Sequence, residues 1–142
     1  MLLRRSQRRP SSSGTELGEE SMPTILIVDD SRVARLSLRR MVLGLVPDAE
    51  ILQAGSAEEA AEVVVGQDID HALIDFNMPG RNGLELAEDL AAERPTLRMA
   101  MITANIQDAV AGRAKALGMV FIAKPPREED MAGFLLETQD AG

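Results

Sequence analysis

An α/β fold built on a doubly wound parallel sheet is predicted by two features of this sequence. Five short apolar runs recur from Thr24 onward, and each is followed by a stretch with helical apolar spacing. The first run, Ile25-Leu26-Ile27-Val28, is continuously apolar, as expected of a strand buried on both faces. Ser31 to about Gly44 predicts a helix with Ala34, Leu38, Met41 and Leu45 on its inner stripe. Glu50 to Ala54 alternates weakly and suits an edge strand. Ser56 and Glu59 have capping-box spacing and open a second helix, whose apolar face is Ala57, Ala60, Ala61 and Val64. The third strand is His71 to Ile74. Asn82 and Glu85 open a third helix, with Leu84, Ala87, Leu90 and Ala91 inward and Pro95 as its stop. Leu97 to Ile102 is the fourth strand. Asn105 caps a fourth helix carrying Ile106, Val110, Ala114 and Leu117, which Gly118 ends. Met119 to Ala123 is the fifth strand. Glu128, Glu129 and Asp130 then fill the first turn of a last helix, where the helix dipole favours acids, and Met131, Phe134 and Leu135 face the sheet.

Right-handed crossovers leave few ways to connect five such units. The count and length fit a flavodoxin-like (βα)5 arrangement with strand order 2-1-3-4-5. In such sheets ligands bind outside the carboxyl ends of the strands, at the point where the strand order reverses. The residues at those ends therefore decide the function.

Composition removes several function classes. The chain has 142 residues and a formal net charge of −8, which would repel nucleic-acid phosphates. It has no cysteine, so disulfides, thiolate metal sites and a cysteine nucleophile are excluded. His71 is its one histidine, too few for a histidine-rich zinc site. That residue lies inside a predicted strand, away from the acidic rim, and reads as a packing or edge histidine. Three Phe, with no Trp or Tyr, offer no stacking platform for single strands. No apolar run is long enough to cross a bilayer, so no membrane insertion and a cytoplasmic location are expected. Residues 1–22 differ from the rest. Arg4, Arg5, Arg8 and Arg9 precede Pro10 and a Ser-rich stretch with nothing to bury, which predicts a disordered basic and polar tail. Met22, directly before Pro23 and the first strand, is a second place at which the working polypeptide could begin.

The predicted strand ends carry Asp29-Asp30, Asp75, Thr103 and Lys124-Pro125. Singly, each has an ordinary explanation as a cap or turn residue. Together they place three carboxylates on one rim, where like charges repel by about 4 kcal/mol at 4 Å and an effective dielectric near 20. Such a cluster needs protons or a cation, and oxygen ligands suit a hard ion such as Mg²⁺. A lysine and a hydroxyl aim at the same place. That is a setting for phosphoryl transfer with a carboxylate as the attacker.

Thr24-Ile-Leu-Ile-Val-Asp-Asp-Ser31 resembles the opening of response-regulator receiver domains. Leu73-Ile-Asp75-Phe-Asn-Met-Pro-Gly80, with Asn82-Gly83, is similar to their phosphoacceptor turn. Ile102-Thr103-Ala104 and Phe121-Ile-Ala-Lys124-Pro125 resemble their last two signatures. The likeness covers Thr24 to about Thr138. It implies a tail at 1–22, a receiver domain over 23–139 and a short C-terminal tail at 140–142. It also implies Asp75 as the phosphorylated residue, with Asp29, Asp30, Asp75 and the backbone carbonyl of Asn77 as the protein's share of the Mg²⁺ shell. Thr103 and Lys124 would contact the phosphoryl group, with a cis bond between Lys124 and Pro125, and Phe121 would accompany Thr103 as a switch residue. The family's chemistry implies a sensor histidine kinase or a histidine phosphotransfer protein as donor, and a downstream protein as receiver of the signal. Because the chain stops soon after the fifth helix, a stand-alone regulator of the chemotaxis type, catalysing only its own phosphorylation and dephosphorylation, is expected. Three alternatives stay open: a receiver-like adaptor that signals without phosphorylation, a small Mg²⁺-dependent aspartyl phosphatase, and a flavin binder. The phosphatases resemble an Asp-x-Asp pattern, whereas these acids are adjacent. A flavin phosphate would be repelled by Asp29 and Asp30.

Overall fold

The computed structural model describes the backbone of residues 22–104 and 108–136; the side chains of 108–110 are not described. Ten elements alternate: β1 (Thr24–Val28), α1 (Arg32–Leu45), β2 (Glu50–Ala54), α2 (Ala57–Val63), β3 (His71–Asp75), α3 (Gly83–Glu93), β4 (Arg98–Thr103), α4 (Asp108–Ala116), β5 (Val120–Ala123) and α5 (Glu128–Leu136). The five strands form one sheet in the order β2-β1-β3-β4-β5, and every neighbouring pair is parallel. The expected flavodoxin-like order is thus observed, with β2 at an edge. The expected 1–22 tail, apart from Met22, lies outside the described residues. So do Asn105, Ile106, the Val110 side chain and residues 137–142.

The sheet divides two apolar layers. Leu26, Val28, Ala72, Ile74, Met99 and Met101 point to one layer, where α2, α3 and α4 contribute Ala57, Ala60, Leu84, Leu86, Leu90 and Ala114. Ile25, Ile27, Leu73, Ala100, Ile102 and Ile122 point to the other, where α1 and α5 contribute Leu38, Val42, Met131, Phe134 and Leu135. Consecutive strand residues therefore serve opposite layers, and β1 and β3 are buried along their whole length.

The helices differ from expectation in three ways. In α1 the fully buried residues are Leu38 and Val42, while Ala34, Met41 and Leu45 are half-buried. Leu38 and Val42 lie four apart, one turn along a single face, and that face meets the sheet. In α2, Ala61 is exposed. The Ser56 hydroxyl accepts from the Glu59 N–H at 3.0 Å, but the Glu59 carboxylate accepts from the Gly55 N–H at 2.7 Å, one residue before the cap, so the box is not reciprocal. In α3, Leu86 is buried although it was not expected inward. This helix does carry a reciprocal box, with Asn82 and Glu85 each accepting from the other's backbone. The α3 C-cap is Arg94, directly before Pro95, as a proline stop predicts.

Candidate functional site

Four strands deliver side chains to one rim. Asp29 follows β1 and is 2% exposed. Its Oδ1 accepts the Ser31 N–H at 2.9 Å, and its backbone carbonyl accepts from Arg35 Nη1 at 2.8 Å. The same Arg35 reaches β2 through Nε to Gln53 Oε1 at 3.1 Å, so the first turn of α1 braces the Asp29 loop against the edge strand. Asp30 is exposed. Asp75 is the last residue of β3, also 2% exposed. Asp29, Asp30 and Asp75 each bring a carboxylate oxygen within 4.8 Å of the others, the only such acidic group among the described residues.

Lys124 enters from the end of β5. Its Nζ lies 2.7 Å from Asp75 Oδ1 and 3.8 Å from Asp29 Oδ2. The Lys124 N–H donates to the Thr103 carbonyl at 3.2 Å, which ties the two strand ends together. The bond from Lys124 to Pro125 is cis. Thr103 is buried at the end of β4, and exposed Asn77 lies in the turn after β3, where its backbone N–H donates toward the Asp75 carboxylate. Phe121 is half-buried on β5, in register with Met101 of β4.

The turn after Asp75 is held from behind by Gly83. A Cβ placed there would lie 2.4 Å from the Asp75 carbonyl oxygen and 2.9 Å from Ile74 Cγ2. Gly83 therefore lets α3 start flush against β3, and its N–H donates to the Phe76 carbonyl at 3.0 Å. Sequence reading placed Gly83 in a motif without this reason, because the clash is with a backbone atom eight residues away. It missed Arg35 altogether: nothing in helical periodicity signals a bond to another strand.

Burial pushes the Asp75 carboxyl above its ordinary value. The bond from Lys124 opposes this, and the charge of Asp29 adds to it. Burial alone would lower Lys124, but its bond to Asp75 and the charges of Asp75, Asp29 and Asp30 outweigh that, so its ammonium is held above the usual lysine range. The Asp75 shift is thus set first by burial and the Lys124 shift by the acids around it, three of which share this one cation. A divalent ion would answer the remaining negative charge. The donor set fits Mg²⁺, being all oxygen, with two carboxylates fixed by burial and one open to water. A groove of about 530 Å³, lined by Val33, Ser37, Met41, Lys124, Pro125 and Pro126 among others, opens onto Asp29 between α1 and the β5–α5 connection.

The family profile of the response regulator receiver domain matches residues 25–135. The DNA-binding transcriptional activator DevR/DosR of Mycobacterium tuberculosis is 35% identical over 88 residues, 61% of this chain and 40% of that protein. Protein CcdB of Bacillus subtilis is 31% identical over 111 residues, 75% of this chain and 89% of its own length. Among solved structures, a CheY-like response regulator receiver domain protein of Methanospirillum hungatei superposes with a TM-score of 0.78 at 25% identity, covering 85% of this chain and 96% of that one. The first-ranked curated relatives are longer proteins, of which the matched region spans 40–54%.

Proposed function

The chain belongs to the response regulator receiver domain family, and on that premise we propose that Asp75 accepts a phosphoryl group in a Mg²⁺-dependent reaction. Receiver domains are signalling domains, and the chemistry proposed for this one is confined to its own phosphorylation and dephosphorylation. The carrying observation is the convergence at Asp75: two further carboxylates within 4.8 Å and the Lys124 ammonium at 2.7 Å.

The donor is a phosphohistidine on a sensor histidine kinase or a histidine phosphotransfer protein. A carboxylate oxygen of Asp75 attacks phosphorus, the P–N bond breaks, and its electron pair returns to the leaving imidazole nitrogen. Asp29, Asp30, Asp75 and the Asn77 carbonyl would hold Mg²⁺, which supplies charge neutralisation at the phosphoryl oxygens. Lys124 holds the acceptor in place before transfer and pairs with a phosphoryl oxygen after it. Thr103 presents its hydroxyl to another of those oxygens. Asp29, fixed by the Ser31 N–H, keeps its orientation throughout.

The domain is taken as 23–139. Its output runs through protein contacts of α4, β5 and α5, and the domain itself makes no contact with nucleic acid. Its acidity supports that choice: the first 21 residues hold four arginines and three glutamates, so the remainder is more acidic than the whole. No described helix is long and apolar enough to cross a membrane. The test is incubation with acetyl phosphate and Mg²⁺ followed by intact-mass measurement. One phosphoryl group should add to the wild type and none to Asp75→Asn. Equal labelling of that variant overturns the assignment, and no labelling of either leaves a phosphorylation-independent adaptor.

A further inference from the structure

At the opposite end of β3 from Asp75, His71 is 8% exposed, and neither ring nitrogen has a hydrogen-bond partner among the described residues. Its ring meets Phe134 of α5 edge-on at 5.2 Å between centroids. We propose that His71 is a pH-sensitive latch on α5: the imidazole stays uncharged while Phe134 covers it and takes up a proton only when that helix lifts from the sheet.

The surroundings offer the imidazolium little. Asp70 precedes it and attracts a proton, but its Oδ2 is already engaged by the Thr24 N–H at 2.8 Å. Arg98, the register partner of His71 on β4, repels a proton, and its guanidinium lies 6.0 Å from the Phe134 ring centre. From α5, Glu129 and Asp130 line a cavity of about 370 Å³ together with Arg98 and Phe134, and His71 does not line that cavity. β1 offers Ile25, and α1 brings Leu38 and Val42 to this layer, none of them charged. Burial, the largest influence, lowers the His71 pKa from its ordinary value.

The element that yields is α5. β3 is paired with β1 and β4 through His71 itself, so opening there would break the centre of the sheet. α5 has nine residues on the outside of the sheet, with Met131, Phe134 and Leu135 as its buried set. Short outer helices open at lower cost than central strands. Acid then favours the opened state, because only there does His71 regain its ordinary affinity for a proton.

Hydrogen exchange of the full chain at pH 7.5 and 5.5, corrected for the intrinsic chemical rate, reads this directly. With an open-state histidine of ordinary pKa, the opening population of α5 should rise between those values, by at most about tenfold, the limit in which the covered imidazole takes up no proton at all. Peptides from β1 should not change. In His71→Leu the α5 response should vanish, while the acidic rim, intact in that variant, continues to titrate. An equal response in both proteins, or none in the wild type, overturns the latch. Should the variant fail to fold, NMR titration of the chain's single histidine decides: a midpoint below 6.5 at which the Phe134 and Met131 signals shift in step supports the latch, and a midpoint at or above 6.5, or α5 signals that do not follow the histidine, overturns it.

Discussion

At the scale of single residues, Asp75 has a cost that its setting makes measurable. Its folded pKa lies above the unfolded value of 3.8, with burial as the first cause. The native state therefore binds this proton more tightly than the unfolded chain does. Around neutral pH the ionised acid subtracts from stability, and the loss is recovered as pH falls through the raised value toward 3.8. Without Mg²⁺, Asp75→Asn should melt at a higher temperature than the wild type near neutrality, and the gap should close as pH approaches about 4. Adding Mg²⁺ should narrow it from the other side, by stabilising the wild type alone. A lower melting temperature for the variant would mean that the Lys124 pair outweighs burial. Gly83 is the second sensitive residue. The methyl group of Gly83→Ala would sit 2.4 Å from the Asp75 carbonyl oxygen, so α3 or the acceptor turn must move. Overpacking of this kind costs roughly 1–3 kcal/mol. Urea unfolding should show that loss, and the initial rate of labelling by acetyl phosphate should fall with it, since the displaced backbone is that of the acceptor.

At the scale of elements, α1 shows how the fold serves the site. Ser31 does two separable things. Its hydroxyl accepts the Ala34 N–H at 3.1 Å and caps the helix, while its backbone N–H holds Asp29 at 2.9 Å. Ser31→Ala removes the first and keeps the second. Stability should drop by about 1 kcal/mol, the usual worth of such a cap, with Mg²⁺ affinity unchanged. A parallel loss of metal binding, measured by calorimetry, would show that the cap and the metal loop are one unit. The same elements mark what the sequence could disclose. Caps at Ser56 and Asn82 were legible, because a cap is a local contract between residues three apart. Inner faces were legible only in part. Leu86 is buried because α3 lies under the sheet over a wide arc, which its own periodicity does not reveal. The rim residues were legible because each stands at a strand end, where parallel topology must gather them. Arg35 and the packing of Gly83 were not, since both depend on partners from other elements.

At the scale of the whole molecule, the question is how charge at Asp75 reaches a surface that a partner can touch. Thr103 ends β4 and is bonded through its carbonyl to the Lys124 N–H, so the two proposed phosphoryl contacts are mechanically linked. Three residues before Lys124, Phe121 packs against the layer shared with α4 and also lines the cavity beneath α5. It is half-buried, with packing on one side and open space on the other. A phosphoryl group adds about −1.5 to −2 charge and new acceptor oxygens. On the proposed function, Thr103 would be drawn toward it and Phe121 would move inward, which would reshape the face formed by α4, β5 and α5. Phosphorylation would do this by favouring one of two existing states, not by creating a new one. Hydrogen exchange with Mg²⁺, compared with and without beryllofluoride, should therefore differ mainly between Thr103 and Phe134. Thr103→Ala should shrink those differences while leaving Asp75 open to labelling. Changes confined to the turn after Asp75 would place the output surface elsewhere.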